Sequence, residues 1–81
     1  MLKLLSSLVL TICLSIAAYA SELEDLTNAA VEGDAEAQTR LGLRHFYGRG
    51  VPQDNKQAVM WLSLAAEQNY AIAQYNLGLY V

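Results

Sequence analysis

His45 is the only histidine in the chain. It stands in LGLRHFYGRGVPQD (Leu41–Asp54), beside Arg44, Phe46, Tyr47, Arg49, three glycines and Pro52. An imidazole in such a stretch could serve as a general base or a metal ligand, but each role needs company. There is no second histidine, and the single cysteine, Cys13, lies far off in an apolar run, so a zinc site would have to be built from carboxylates. Ser21 and Ser63 are the only serines beyond that run, and neither stands in a nucleophile-elbow context. No nucleophile, base and orienting group can be assembled. The glycines do not make a phosphate cradle either. A P-loop follows a strand and ends in Lys-Ser/Thr, and a dinucleotide loop reads G-x-G-x-x-G; GRGVPQD does neither. The expectation is no catalytic residue, no metal site and no cofactor.

The elements that hold this stretch begin after a leader. Residues 1–20, MLKLLSSLVLTICLSIAAYA, carry one charge, Lys3, and hold much of the apolar content, so the 54% hydrophobic share of the 81 residues overstates the core. A basic start, an apolar run and Ala18-Tyr19-Ala20 form the pattern of a secretory signal peptide with an A-x-A cleavage site. Leu4 to Ala20 is at the lower limit for a bilayer-spanning helix, and no Lys or Arg follows it directly. Ile12 before Cys13 is too large for a lipoprotein signal. Cleavage between Ala20 and Ser21 removes the only cysteine, so the remainder has no disulfide even in an oxidising compartment. The expected location is periplasmic or secreted, with membrane contact only in transit through the signal peptide.

Beyond the leader, Arg40, Arg44, Arg49 and Lys56 face Glu22, Glu24, Asp25, Glu32, Asp34, Glu36, Asp54 and Glu67. Neutralising phosphates is the main source of affinity for nucleic acids. An acidic chain with four scattered cations therefore argues against DNA or RNA as a partner.

The strongest signal is internal. Shifted by 36 residues, LTNAAVEGDAEAQTRLGL falls without a gap on LSLAAEQNYAIAQYNLGL. Leu26 meets Leu62, Ala29-Ala30 meet Ala65-Ala66, Ala37-Gln38 meet Ala73-Gln74, and Leu41-Gly42-Leu43 meet Leu77-Gly78-Leu79. A period in the mid-thirties is one helix–turn–helix unit of the tetratricopeptide kind. Asp54 is an N-cap, with Gln57 placed to complete a capping box. Gly33 and Asn69 suit the left-handed residue after a helix, and Asp34 caps the helix that follows. Gly42, inside a helix, costs about 1 kcal/mol relative to alanine. Its return at Gly78 points to helices that approach too closely for a side chain. Helices are expected near 22–32, 35–47, 54–68 and 71–81. LGLRHFYGRGVPQD is then the end of one helix, a turn and the cap of the next.

The pattern A-x-A-Q-x-x-L-G, G-x-G-V-x-x-D, A-x-x-W-x-x-x-A-A-E-Q resembles the Sel-one-like repeat, a relative of the tetratricopeptide repeat. It is carried by Ala35, Ala37, Gln38, Leu41, Gly42, Gly48, Gly50, Val51, Asp54, Ala58, Trp61, Ala65, Ala66, Glu67 and Gln68. His45 and Val81 stand where that family usually has tyrosine, which makes His45 a half-buried substitute at a helix end. The resemblance implies an all-α fold, a short helix-turn-helix solenoid (an α/α superhelix) with an incomplete array. Its parts are a signal peptide over 1–20, a degenerate repeat helix and turn over 21–34, a full repeat over 35–70 and the truncated start of another over 71–81. Arrays normally need about three units to bury their stacked faces, so the open helix end allows self-association.

In tetratricopeptide-like superhelices the first helices line the concave surface. With Ala37, Gln38, Leu41, Gly42 and His45 on the packed side, the outward face holds Thr39, Arg40, Leu43, Arg44 and Tyr47, with Asn76 and Leu79 in the next copy. Arg40, Leu43, Arg44, Tyr47, Asn76 and Leu79 are thus the expected contacts for a protein or peptide partner. The function implied is an exported adaptor, scaffold or regulator acting through protein–protein interaction. Two other readings stand beside it. One is a secreted hydrolase of the β-lactamase-like cysteine-rich repeat group, which leans on paired cysteines that residues 21–81 lack. The other is a non-functional fragment of a longer repeat protein.

The leader carries a direct prediction. Intact mass of the protein from an extracytoplasmic fraction should correspond to a chain beginning at Ser21; a membrane-retained species still bearing Met1–Ala20 would identify an anchor.

Overall fold

The computed structural model describes residues 17–18 and 20–80, without the side chain of Tyr80. The expected leader falls outside them except for Ala17, Ala18 and Ala20, which are helical. Among the described residues all regular structure is α-helix: α1 over 20–31, α2 over Ala35–Tyr47, α3 over Asn55–Glu67 and α4 over Ala71–Tyr80. None of these helices is long and apolar enough to cross a membrane. Consecutive helices pack on one another, giving an all-α helical repeat solenoid.

Local chemistry sets each boundary. Gly33, at φ +102°, turns the chain after α1, and the Asp34 carboxylate accepts from the Ala37 N–H at 2.9 Å to start α2. Gly48, in the left-handed region, closes α2 through its N–H to the Arg44 carbonyl. Asp54 then accepts from the N–H groups of Lys56 and Gln57 at 3.0 and 3.1 Å. The expected capping box is only half used, because the Asp54 N–H that Gln57 would have satisfied donates to the His45 carbonyl at 2.9 Å. That bond fastens the start of α3 to the end of α2. Asn69, at φ +62°, makes the last turn.

Two small apolar clusters lie between the helices. Ala30, Ala37 and Leu41 are buried with Leu23, Leu26, Ala29 and Trp61 against them. Leu62, Ala65 and Ala73 are buried with Ala35, Ala66, Tyr70 and Leu77. Glutamines tie the units together in the repeat register. The Gln38 amide donates to the Ala30 carbonyl at 3.1 Å, and Gln74, 36 residues on, donates to Ala66 at 3.2 Å. Gln68 reaches back to the Gly33 carbonyl and to Gln38 Oε1, both at 2.9 Å. Gln38 is buried, and its amide needs such a partner, since an unsatisfied one costs about 1–3 kcal/mol.

Gly42 marks a close approach of α2 to α3. A Cβ there would lie 3.0 Å from Leu62 Cγ and 3.1 Å from the Ala58 carbonyl oxygen, whereas a Cβ at Gly78 would meet nothing within 4 Å. Overpacking typically costs about 1–3 kcal/mol, and replacing an exposed helix glycine by alanine gains up to about 1 kcal/mol. In dilute solution Gly42→Leu should therefore lose helix content or melt far earlier, while Gly78→Ala melts at the same temperature or higher. Equal melting of the two variants in circular dichroism would contradict the close contact.

Candidate functional site

The helical period of 3.6 residues brings Arg40, Leu43, Arg44 and Tyr47 to one side of α2. The left-handed Gly48 then folds the chain back, and Arg49 Cζ lies 5.1 Å from the centroid of the Tyr47 ring, within range of a cation–π interaction. Phe46 meets Tyr47 edge to face, with centroids 5.0 Å apart. Together Arg40, Leu43, Arg44, Tyr47 and Arg49 line an open cleft of about 270 Å³. Beyond residue 20 the chain has four cationic side chains, and three of them line this cleft; the fourth, Lys56, is on α3.

The side chains differ in their commitments. Tyr47 is half exposed and Arg40 is exposed. Arg44, expected on the outward face, is held in the wall: its side chain is only 16% exposed, and Nη2 pairs with Glu22 Oε1 of α1 at 3.2 Å. Leu43 is half-buried. Asn76 and Leu79 lie on α4 at the positions that match Arg40 and Leu43 by the 36-residue register, and neither lines the cleft. Asn76 is half-buried and donates to the Ile72 carbonyl at 2.8 Å, while Leu79 is exposed.

Two assignments change. Thr39, expected outward, is 2% exposed, and its hydroxyl donates to the Ala35 carbonyl at 2.8 Å. It lies three residues before Gly42, and that spacing sets both on the side of α2 that packs against α3. Arg49, read as part of a turn, belongs to the cleft. The left-handed glycine before it was the available signal, because that conformation reverses the chain toward the helix it has just left.

His45 is half-buried as expected, and its Nδ1 is enclosed without a hydrogen-bond partner. Among the described residues no three His, Cys, Asp or Glu side chains converge to hold a metal ion. The cleft offers positive charge, a phenol and an aliphatic floor. That chemistry suits recognition of a carboxylate or another polar group.

The Sel1 repeat family model matches residues 35–70 and 71–81. Among curated proteins, the chain is similar to "Protein sel-1 homolog 2" of Mus musculus and of Rattus norvegicus, 38% identical over 50 residues in each case. Each match covers 60% of this chain and 7% of the relative, so the chain spans a small part of the proteins it resembles. No solved structure matches significantly. The family match begins at the first residue of α2, covers more than half of the chain and takes in the close-packed α2–α3 pair, and on that ground the chain belongs to the Sel1 repeat family.

Proposed function

We propose that this chain is an exported interaction module whose α2 cleft takes an acidic segment of a protein partner. Repeats of this family generally mediate protein–protein interaction, and the observation that carries the reading is the convergence of Arg40, Arg44 and Arg49 around Tyr47 on an otherwise acidic chain. At about 270 Å³ and open to solvent, the cleft falls below the usual range of small-molecule sites. It fits one or two side chains of a peptide. Arginine and tyrosine are the residue types enriched at energetically dominant interface positions. Asn76 and Leu79 extend the surface along the next first helix. The signal peptide sends the chain to the periplasm or the exterior, where cleavage after Ala20 leaves the start of α1 as the new N-terminus.

Anisotropy titrations with fluorescent acidic and uncharged peptides test the reading. The full chain should bind the acidic set, more weakly as salt rises. Truncating a true anchor costs about 2 kcal/mol or more, so Arg40→Ala/Tyr47→Ala should weaken binding at least tenfold. Lys56→Ala, on α3, should stay within about twofold by the same scale. Equal affinity of the double variant and the unaltered chain would overturn the proposal.

A further inference from the structure

The repeat register exposes two surfaces that complement each other. Within the molecule, α2 lies in a cradle formed by α3 and α4: Ala35 packs on Leu62, Ala65 and Ala73, all at most 1% exposed. Thr39 and Gly42 complete the seated face, Thr39 at 2% exposure and Gly42 against Leu62 and Ala58. Moved back by 36 residues, the floor of that cradle becomes Leu26, Ala29 and Ala37, which are the same three residue types. These lie in the groove between α1 and α2, whose clefts of about 250 and 190 Å³ share Leu26 and Arg40, with Asp25 bordering the first and Ala29 and Ala37 lining the second. Leu26 and Ala29 are only half-buried there, where Leu62 and Ala65 are fully covered.

The helix that would fit is also present. Moved forward by 36 residues, the seated face of α2 becomes Ala71, Tyr75 and Gly78 on α4. That face is open: Tyr75 is 69% exposed, and a Cβ on Gly78 would meet nothing within 4 Å. The α4 helix bears no charge to desolvate. By the register α4 corresponds to α2, a first helix, and α1 corresponds to α3, a second.

We propose that a second copy of this chain seats its α4 in the groove between α1 and α2, so that copies stack head to tail in the geometry by which α2 already sits on α3 and α4. Gly78 of one copy then meets Leu26 of the next, as Gly42 meets Leu62. Tyr75 brings its ring, in place of the smaller Thr39 side chain, toward the groove wall of Asp25 and Arg40, where its hydroxyl has polar neighbours. Such a contact is heterologous: each copy keeps a free α4 at one end and a free groove at the other, and addition continues. The cleft and the groove share Arg40 and Arg44, but Tyr47 and Arg49 line the cleft alone, and the stacking does not rest on the peptide-cleft reading.

The test uses full-length chains in a Cys13→Ser background, one carrying Tyr75→Cys and the other Ala29→Cys, treated with a short bis-maleimide. A mixture of the two should give covalent dimers joining unlike chains, and each variant alone should give no covalent dimer. Adding Gly78→Gln to the Tyr75→Cys chain should abolish the dimer while the far-ultraviolet circular dichroism stays unchanged, because the monomer has open space there. The proposal is overturned if the mixture gives no dimer, if either variant alone cross-links as well as the mixture, or if Gly78→Gln has no effect. Tyr47→Ala should leave the cross-link intact, so that failure of stacking and failure of the peptide cleft are separately visible.

Discussion

The missing side chain at Gly42 is the constraint on which the rest of the molecule depends. A Cβ at that position would come within 3.0 to 3.3 Å of Leu62 and Ala58, so α2 and α3 meet at a distance that a larger residue could share only by displacing them. The helix gives up about 1 kcal/mol of propensity at that position. In exchange, Leu62 is enclosed and Gln38 comes within reach of both Ala30 and Gln68. A core made largely of alanines gains little from each burial, at roughly 25 cal/mol per Å² of apolar surface. Close approach and satisfied amides have to supply what bulky side chains supply elsewhere.

The same contact fixes the rotation of α2, and through it the site. Once the side bearing Gly42 and Thr39 is turned to α3 and the side bearing Ala37 and Leu41 to α1, the remaining arc must hold Arg40, Leu43 and Tyr47. Gly48 extends that arc by returning Arg49 onto the Tyr47 ring. The bond from the Asp54 N–H to the His45 carbonyl holds the intervening turn against the helix end. The cleft is therefore a product of packing on the opposite side of α2. Its charge comes from three arginines set on a scaffold that is acidic elsewhere.

Much of this could be read from residue order because it is periodic or local. The 36-residue register located three helices to within about one residue: α2 over Ala35–Tyr47 as expected, α3 one residue shorter at each end and α4 from Ala71, whereas the chain expected to become helical near 22 is already helical at Ala17, Ala18 and Ala20. Gly33, Asn69, Asp34 and Asp54 act in their own turns and were visible as such. What escaped depends on neighbours distant in sequence or on the direction of a single turn. Arg44 finds Glu22 across 22 residues, and no spacing rule on α2 foretells that pairing. Thr39 sits at the edge between two faces of the helical wheel, and only the position of α3 decides which face it joins. Arg49 looked like punctuation because a turn residue's side chain has no periodicity to reveal its direction.

Residue-resolved amide hydrogen exchange on the dilute full chain tests the central claim, that the α2–α3 contact at Gly42 organises the fold. The amides around Leu41, Gly42, Leu62 and Ala65 should exchange most slowly, at the rate set by global unfolding, and those of α4 should exchange faster through local opening. Protection of α4 equal to that of α3, or uniform fast exchange through α2, would contradict it.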